Sequence, residues 1–430
     1  MPYDPTVFTI RESLDPGEFI FALYYLEGAA SDLLRKAGGI AIGQTTGTWV
    51  PVSQETPELR RTHVGRVVGV YEIPAYEDRL PSESAERRFL VQAAFPVANF
   101  DDQLAALLVM VFGKVSMAGR IKLLDLTLPE KYARRFAGPK FGIEGVRELL
   151  GVERRPLLMS IFKPCLGLSP KQLGDLFFEQ ARGGVDLVKD DEILPDIESA
   201  PFEARLEACL QAAARAKSET GQRTLYAINL TGSPDAIFAK AQRAVSLGAT
   251  ALLINVLAVG FDVVRALTSD ASIKVPVLAH PAMAGAFYPS PVQGISSELV
   301  LGKLVRLAGG DLSLFPSAYG TVPLLRERTL RIGQQLTSPF YHLRRAFPVP
   351  SAGIHPGLVP RLIDDFGLDV VINAGGGVHG HPQGTAAGGR AFRQAIEATL
   401  VGRSLEDASR DHAELRAAYE LWGTRAGVGE

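Results

Sequence analysis

The run Leu187-Val188-Lys189-Asp190-Asp191-Glu192 places one amine and three carboxyl groups in four consecutive positions. It follows Gly184-Val185-Asp186, where an apolar strand is expected to approach its end. Alternation along a strand sends Lys189 and Asp191 to the same side, and Glu192 falls in the turn that follows. Buried charges are costly unless they are paired or hold an ion, so the run predicts a site for a hard cation.

A lysine amine cannot join two carboxylates as a ligand of Mg²⁺. If CO₂ carbamylates Lys189, the amine becomes an oxygen-donor anion, and Lys189, Asp191 and Glu192 then form a Mg²⁺ site. The alternative interpretation is a solvated, salt-bridged loop, because runs of charged residues are usually found on protein surfaces. These residues alone leave both interpretations open.

The bulk composition favours small molecules as partners. The 430 residues contain 45 Lys and Arg against 47 Asp and Glu, a net charge of −2, and no basic run that would bind nucleic acid or an anionic membrane. The only cysteines, Cys165 and Cys209, lack metal-type spacing, and no apolar segment reaches the length of a membrane span. The N-terminus has no signal-peptide pattern. We therefore expect a soluble protein in the reducing cytoplasm.

The chain is long enough for two domains. Residues 1–145 mix strand and helix patterns, such as a strand ending at Pro96 and a helix near 101–112, which predicts an α+β domain. Residues 146–430 alternate short apolar runs with helical patterns, for example over 170–182, 202–217, 234–247 and 298–308. The eight apolar runs are Leu157–Phe162, Val185–Val188, Leu225–Leu230, Ala251–Val256, Val275–Ala279, Leu312–Phe315, Ala346–Val349 and Val370–Ile372.

Eight such units predict an α/β fold with a C-terminal (β/α)₈ barrel, because runs this apolar must be buried on both faces of a parallel sheet. A doubly wound open sheet is the competing architecture. Catalytic groups of such barrels collect where the strands end. The corresponding positions here are polar residues or glycines: Lys163, Lys189, Asn229, Asn255, His280, Ser317, Ser351 and Gly375.

The last two strand ends suggest a phosphate site. Ser351-Ala352-Gly353 and Gly375-Gly376-Gly377 can present backbone N–H groups to an anion, and barrel enzymes often hold phosphate between these loops. Ordinary turns that need the flexibility of glycine are the alternative. Gly375, Gly377 and Gly380 also match the dinucleotide fingerprint, but on the last βα unit, where that fingerprint has little meaning.

Several motifs in a fixed order resemble the large-subunit family of RuBisCO. They span nearly the whole chain and comprise Thr46-Gly47-Thr48-Trp49, Phe162-Lys163-Pro164-Cys165-Leu166-Gly167, Gly183-Gly184-Val185-Asp186-Leu187-Val188-Lys189-Asp190-Asp191-Glu192, Ala279-His280-Pro281, Pro350-Ser351-Ala352-Gly353 and Gly375-Gly376-Gly377-Val378-His379-Gly380-His381-Pro382.

The resemblance implies an N-terminal α+β domain, a C-terminal barrel, and a homodimer in which one subunit's first domain covers its partner's barrel mouth. It implies a carbamylated Lys189 that binds Mg²⁺ together with Asp191 and Glu192. We assign Lys163 to a substrate oxygen or to protonation of the reaction intermediate, and His280 to a substrate hydroxyl or phosphate. The phosphate is expected to be held by Ser351, Gly353, Gly375 and Gly376, and Thr48 is a further expected substrate contact.

Three departures from a true carboxylase argue against CO₂ fixation. Cys165 stands where the carboxylase has a second lysine, and Pro281 stands where it has an arginine for phosphate. The stretch 315–323 contains no lysine, whereas the carboxylase has a mobile lysine there. The chain is therefore similar to the RuBisCO-like proteins.

Within that group the chain is most similar to the methionine-salvage enolases, which act on the phosphorylated ketone 2,3-diketo-5-methylthiopentyl-1-phosphate. This similarity lies in the segments 111–116, 122–126, 225–232 and 315–320. It implies that Lys114, supplied by the neighbouring subunit, is the general base. Proton removal beside a carbonyl needs such a base and a positive centre for the enolate oxygen, which Mg²⁺ can provide.

Two other functions remain open at this point. An isomerase of 5-methylthioribulose-1-phosphate would use the same metal and the same motifs. A protein without turnover, serving a regulatory role, could keep the fold, but the joint presence of Lys114, Lys163, Lys189, Asp191 and Glu192 argues against it.

Overall fold

The computed structural model describes residues 3–48, 50, 52–73, 79, 82, 85–322 and 324–426. Trp49 of the first quoted motif and Pro323 lie outside these ranges. The described residues form thirteen strands, numbered β1 to β13 in chain order: Phe19–Ala29, Arg66–Ile73, Glu86–Pro96, Ile121–Thr127, Leu157–Ile161, Leu187–Lys189, Leu225–Asn229, Ala251–Asn255, Val277–His280, Gly294–Ile295, Leu312–Pro316, Phe347–Ser351 and Val371–Ala374.

The same residues form the α-helices α1 to α17: Ala30–Gly43, Pro57–His63, Leu104–Leu108, Glu130–Ala133, Gly142–Leu150, Pro170–Arg182, Phe202–Thr220, Pro234–Ser246, Val256–Val259, Phe261–Ser269, Leu304–Leu307, Arg326–Thr337, Val359–Phe366, Gly376–His379, Thr385–Leu400, Leu405–Asp411 and Ala413–Trp422. Shorter 3₁₀ or π segments cover Pro5–Val7, Arg11–Ser13, Val97–Asn99, Val109–Gly113, Lys114–Met117, Ala284–Ala286, Leu299–Lys303 and Pro356–Leu358. No helix within the described ranges is long and apolar enough to cross a bilayer.

The chain forms two compact units. The first unit contains Met1–Phe136 and the later segment Met283–Val300, and the barrel unit contains Ala137–Ala282 and Leu301–Glu430.

The first unit is built on a five-stranded sheet with the order β10-β4-β1-β3-β2. The central strand β1 pairs antiparallel with β3, from Phe19 opposite Pro96 to Ala29 opposite Glu86. The short strand β10 pairs in parallel with β4 at the edge of the sheet. It belongs to the segment Met283–Val300, which lies much later in the sequence than the rest of this unit. Helix α1 packs on this sheet, so the unit is the α+β fold that the sequence predicts.

The barrel unit contains eight parallel strands in the order β12-β11-β9-β8-β7-β6-β5-β13. The two strands at the ends of this order, β12 and β13, lie next to each other, so the sheet curls into a near-closed ring. Every strand overlaps one of the eight predicted apolar runs, and the (β/α)₈ prediction is confirmed. Parallel strands with helices outside and side chains inside are buried on both faces, which explains why the runs are continuously apolar.

The interior of the barrel is an apolar core that is closed at the amino end of the strands. The core is made by inward-facing side chains of all eight strands and by one face of α5, and it includes Ile143, Val146, Leu157, Met159, Leu187, Leu225, Ala227, Ala251, Leu253, Leu278, Leu312, Leu314, Phe347, Val349 and Val371. The buried carboxylate of Asp311 accepts hydrogen bonds from the backbone N–H groups of Phe141, Gly142 and Val277, which holds α5 in place.

Three of the predicted barrel helices, over 170–182, 202–217 and 234–247, match α6, α7 and α8 within three residues. The helix predicted over 298–308 is present as a π segment followed by α11. The helix predicted from Asp101 begins instead at Leu104, because the Asp101 carboxylate accepts the N–H of Gln103 in a turn ahead of the helix.

Candidate active site at the barrel mouth

The period of two along a strand determines which side chains face the barrel mouth. In each barrel strand, the residue two positions beyond the last member of the apolar core points inward at the carboxyl end. These eight residues are Ile161, Lys189, Asn229, Asn255, His280, Pro316, Ser351 and Asn373. Six of the eight are polar, so the interior changes from apolar to polar at this layer.

Lys189 lies at the centre of the acidic run. Its fully buried amine is 2.9 Å from the backbone oxygen of Asp190 and 3.5 Å from Oε2 of Glu192. Burial lowers the pKa of Lys189, and the nearby carboxylates of Glu192 and Asp191 offset this only in part. Because an uncharged amine is the form that attacks CO₂, this environment favours a carbamate.

Lys163 extends from the end of β5 to the same cluster. Its Nζ donates a hydrogen bond to Oδ2 of Asp191 at 2.8 Å and lies 2.9 Å from Sγ of Cys165. Burial opposes the charged amine, but the hydrogen bonds to Asp191 and Cys165 raise the pKa of Lys163 above its ordinary value. Burial also opposes the charge of Asp191. Hydrogen bonds from Cys165 and Lys163, together with the charges of Lys189 and Lys163, nevertheless lower the pKa of Asp191 to about 2. Lys163 is therefore an ammonium group and Asp191 a carboxylate at neutral pH.

His280 faces the last carboxylate of the run. Its Nδ1 accepts a hydrogen bond from the backbone N–H of Ala282 at 3.2 Å, so the neutral ring carries its proton on Nε2. This Nε2 lies 3.3 Å from Oε2 of Glu192. Burial, followed by the charge of Lys189, lowers the pKa of His280 well below its ordinary value. The imidazole is thus an uncharged donor at the mouth.

Two asparagines of the inward-facing layer hold the loop that follows β6. The amide nitrogen of Asn229 donates to the backbone oxygens of Glu192 and Leu194, both at 3.1 Å, and that of Asn255 donates to Glu192 at 3.0 Å. The amide oxygen of Asn255 is buried and accepts no hydrogen bond in the part of the chain that the structure describes. A buried acceptor without a donor fits a site that receives a polar ligand.

The loop after β12 is joined to the loop after β11. The backbone N–H of Ser317 donates to the oxygen of Ser351, and that of Thr321 donates to the oxygen of Ala352, both at 2.9 Å. Gly353 has a φ of +81°, and a Cβ there would lie 2.6 Å from Cγ2 of Thr321, so this position requires glycine.

Gly375 and Gly376 form the start of the loop after β13. A Cβ on Gly375 would lie 3.1 Å from Cε of Lys163, so the missing side chain lets the lysine approach the loop. Gly376 is exposed, and a Cβ there would have no other atom within 4 Å. The loop after β13 therefore admits the lysine at Gly375 and leaves open space at Gly376.

Two predicted site residues belong to the first unit. Lys114 is exposed and begins the 3₁₀ segment Lys114–Met117, directly after a π segment whose carbonyl oxygens of Val109 and Met110 accept hydrogen bonds from Gln44. The hydroxyl of Thr48 donates to Oε2 of Glu55 at 3.2 Å. The other predicted site residues all belong to the barrel unit.

The cluster around Lys189 fits a divalent metal only with a modified lysine. In the described ranges, no three His, Cys, Asp or Glu side chains gather in a metal-ligating arrangement. Glu192 supplies a carboxylate oxygen 3.5 Å from the buried Lys189 amine, and the charge of the Asp191 carboxylate also acts on that amine. Carbamylation would give the amine the third anionic oxygen donor. The donor chemistry therefore suits Mg²⁺ once the carbamate is formed.

Comparison with known families agrees with this geometry. Residues 142–422 match the family model described as the catalytic domain of the ribulose bisphosphate carboxylase large chain, and residues 10–132 match its N-terminal domain. The chain belongs to the RuBisCO large-chain family. The predicted fold and the predicted family are both confirmed.

Individual members of the RuBisCO family are similar over almost their full length. A 2,3-diketo-5-methylthiopentyl-1-phosphate enolase from Geobacillus kaustophilus is 51% identical, covering 93% of this chain and 97% of the relative. A ribulose bisphosphate carboxylase-like protein from Archaeoglobus fulgidus is 49% identical, covering 91% and 90%. Among solved structures, a RuBisCO-like protein (MtnW) from Alicyclobacillus acidocaldarius is 48% identical with a TM-score of 0.88, covering 95% and 100%. The octameric RuBisCO from Pyrococcus horikoshii has a TM-score of 0.89 at 31% identity, covering 97% and 96%.

Sequence reasoning about this RuBisCO-family chain did not assign the residues behind the acidic run. Asp190, Arg205 and Tyr226 form a buried hydrogen-bonded group on the outer side of the barrel. An arginine within a helix pattern and a tyrosine within a strand pattern give no local sign of this contact. The contact of Cys165 with Lys163 was also missed, although the spacing of two residues around a strand end could have suggested it.

Proposed function

We propose that this chain is a Mg²⁺-dependent isomerase that moves a proton next to a carbonyl, a keto–enol tautomerase. The substrate in this proposal is a phosphorylated methylthio-ketone, 2,3-diketo-5-methylthiopentyl-1-phosphate. The observation on which this proposal depends is the convergence of Lys163, Lys189, Asp191, Glu192 and His280 at one barrel mouth. Relatives named as enolases of this compound, about half identical over most of the chain, support the choice of substrate.

In this proposal Lys189, as its carbamate, holds Mg²⁺ together with Asp191 and Glu192. When bound, the metal supplies a positive centre for the oxygen on which enolate charge develops. Asn229 and Asn255 fix the backbone of Glu192 by hydrogen bonds, so that the ligand loop is already in place before substrate arrives.

Lys163 is assigned to the reacting atoms. Its ammonium group is half-exposed toward the mouth and is held by Asp191, so it can donate a hydrogen bond to a substrate oxygen or return a proton to the intermediate. His280, neutral with its proton on Nε2, is assigned to a substrate hydroxyl or phosphate oxygen. An uncharged donor can orient an oxygen without adding a charge to the site.

Lys114 is assigned as the general base, acting on a site in a second copy of the chain. Its exposure at the start of a short 3₁₀ segment suits a group that reaches out of its own unit. This assignment requires a homodimer with shared sites, in which a domain of residues 1–145 serves the partner's barrel domain of residues 146–430. We assign Thr48 to the same substrate-contacting surface of the first domain.

The phosphate of the substrate is assigned to the loops after β12 and β13. Ser351 and Gly353 belong to the first loop, and Gly375 and Gly376 to the second. The two strands lie next to each other, the exposed Gly376 leaves open space, and the positively charged Lys163 approaches the preceding residue, Gly375. An anion placed there would meet backbone N–H groups and an ammonium group.

CO₂ is proposed as an activator of the enzyme and not as a substrate. Cys165 and Pro281 occupy the positions where a carboxylase has basic residues, and Cys165 hydrogen-bonds to Lys163 in the place of a second amine. Both cysteines are free thiols, which suits the reducing cytoplasm that we propose as its location.

The test is proton exchange at the carbon beside the carbonyl. Purified protein, bicarbonate and Mg²⁺ are incubated with the diketone phosphate in deuterated water, and label incorporation is followed by proton and phosphorus NMR. We expect exchange and enol formation, with a loss of about 100-fold or more in Lys114→Ala. The exposed Lys131 of the first unit provides the matched control, Lys131→Ala, with exchange at the parental rate.

Two outcomes would contradict the proposal. Exchange in Lys114→Ala at the parental rate would remove the base assignment. Conversion of 5-methylthioribulose-1-phosphate, with no reaction of the diketone, would replace the enolase function by the isomerase function on the same metal site.

A further inference from the structure

Asp190, the residue between the proposed ligands Lys189 and Asp191, points away from the barrel mouth. Strand alternation turns it to the outer side of the barrel, where its side chain is fully buried. There its carboxylate accepts hydrogen bonds from Nε of Arg205 at 3.1 Å, from the hydroxyl of Tyr226 at 2.5 Å, and from the backbone N–H of Asn229 at 2.9 Å. Three donors of different kinds from two other elements thus fix one buried carboxylate.

Arg205 connects this carboxylate to the chain after the acidic run. The guanidinium is fully buried, and its Nη1 donates to the backbone oxygens of Ala200 at 2.6 Å and Pro195 at 3.2 Å. Both oxygens belong to the connection between β6 and α7. Arg205 therefore fixes the later part of that connection to Asp190, and the segment between them contains two of the proposed ligands, Asp191 and Glu192.

The group behind the barrel also acts on the inner side through the backbone. The backbone oxygen of Asp190 accepts a hydrogen bond from the Lys189 amine at 2.9 Å. Asn229, whose N–H donates to Asp190, uses its side chain to hold the backbone oxygens of Glu192 and Leu194. A shift of Asp190 would consequently move the amine and both carboxylates of the proposed metal site.

Stability alone is a weak explanation for this arrangement. A buried ion pair gains little net free energy over apolar residues of the same shape, because both charges lose their water. One Arg205 nitrogen, Nη2, is buried with no hydrogen-bond partner in the ranges that the structure describes, which adds to the cost. The arrangement does, however, fix the backbone at the point where the side chains of Lys189, Asp191 and Glu192 must converge.

We propose that Asp190, held by Arg205 and Tyr226, is a positioning residue that sets the geometry of Lys189, Asp191 and Glu192 for carbamate formation and Mg²⁺ binding. This inference rests on the metal site of the proposed function. Groups that orient metal ligands typically change metal affinity by about 10-fold to 100-fold when they are altered.

The experiment compares two variants of this group with a matched ion pair at the other end of the same βα unit. Asp190→Asn removes the charge and keeps the shape, and Tyr226→Phe removes one hydroxyl while leaving the ion pair intact. The control is Asp186→Asn, because Asp186 is also buried, accepts two hydrogen bonds from Arg155 at 2.6 Å, and accepts the N–H of Leu158 at 2.8 Å. It lies at the amino end of β6, away from the mouth.

Two quantities are measured on each full-length protein: the Mg²⁺ dissociation constant by calorimetry in the presence of bicarbonate, and the carbamate signal by carbon NMR with isotopically labelled CO₂. Thermal unfolding is recorded alongside. We expect the Mg²⁺ dissociation constant to rise about 10-fold to 100-fold in Asp190→Asn and about 10-fold in Tyr226→Phe, with a weaker carbamate signal. Asp186→Asn should lose stability but bind Mg²⁺ within about twofold of the unaltered protein, because the two sites are independent.

The inference is overturned if Tyr226→Phe and Asp190→Asn form the carbamate and bind Mg²⁺ as the unaltered protein does. If Asp190→Asn does not fold, Tyr226→Phe decides the question, since it leaves no unpaired charge. An equal loss of affinity in Asp186→Asn would reduce the effect to general stability and also overturn the inference. Absence of a carbamate in the unaltered protein would overturn it together with the metal site, whereas Mg²⁺ binding without proton exchange would contradict only the proposed enolase activity.

Discussion

The ammonium group of Lys163 lies 2.8 Å from Oδ2 of Asp191 and so connects the end of the first barrel strand to the loop after the second. We expect Lys163→Met to reduce turnover about 100-fold or more, because the variant loses the proposed proton donor. Mg²⁺ affinity should stay the same or rise, since one positive charge leaves the neighbourhood of the Asp191 carboxylate. Steady-state kinetics and calorimetry check the two halves of this prediction.

The exposed Lys171, paired with Asp175 on α6, offers the control variant Lys171→Met. It should keep parental turnover. Parental turnover in Lys163→Met as well would mean that this ammonium group takes no part in the reaction.

A substitution at Gly375 tests whether turnover depends on the position of the Lys163 ammonium group. The backbone φ of −98° allows alanine at this position, so the main effect of Gly375→Ala is a methyl group about 3.1 Å from Cε of the lysine. Displacing the ammonium group should lower turnover about 10-fold to 100-fold while the free energy of unfolding changes by about 1 kcal/mol or less. Kinetics and urea unfolding measure both quantities.

Gly39→Ala in α1 is the matched change for this experiment, because a Cβ there meets no other atom within 4 Å. It should leave turnover unchanged and stabilise the helix by up to about 1 kcal/mol. Equal kinetics in the two variants would show that Lys163 tolerates displacement or has no role.

Lys189→Arg tests the requirement for CO₂. A guanidinium group keeps a positive charge at this position but is always protonated, so it cannot form the carbamate. We expect the variant to lose activation by bicarbonate and Mg²⁺ and to show no turnover above background. Removal of Mg²⁺ from the unaltered protein by a chelator should abolish activity reversibly. Unchanged Mg²⁺ affinity in Lys189→Arg would remove the carbamate from the site.

Glu414 gives a prediction about acid stability. Its carboxylate, on α17, accepts hydrogen bonds from Gln394 at 2.9 Å and Arg390 at 2.8 Å, which lower its pKa to about 2. A carboxyl whose pKa is lower in the folded state contributes stability above its unfolded pKa, near 4.5, and loses this contribution as the pH falls toward 2.

Glu414→Gln should accordingly lower the free energy of unfolding by about 1 kcal/mol or less at pH 7, and the difference should shrink steadily below pH of about 4.5. Urea unfolding of both proteins between neutral and acidic pH measures this. The exposed ion pair of Arg403 and Asp411 serves for comparison through Asp411→Asn. A difference for Glu414→Gln that is independent of pH would rule out the ionised carboxylate as its source.

The eight barrel strands could be predicted from the sequence because both faces of a parallel strand are buried. Each strand is therefore a continuous apolar run in the local sequence. The polar residue that follows most of these runs is predicted by the same rule, since the strand emerges at the barrel mouth there. Alternation within Lys189, Asp190 and Asp191 likewise predicts which side chains share a face. These are local properties, and the chain alone determines them.

Other features depend on partners that are distant in sequence. Strand β10 joins the edge of β4 across more than a hundred residues, and its segment Met283–Val300 belongs to the first unit although barrel strands flank it in the chain. The carboxylate of Asp190 meets Tyr226 and Arg205, and the thiol of Cys165 meets Lys163, only because the folded barrel brings them together. The period of apolar residues indicates which face of a helix or strand is buried, but it does not indicate which residues that face packs against. Only the tertiary structure decided those contacts.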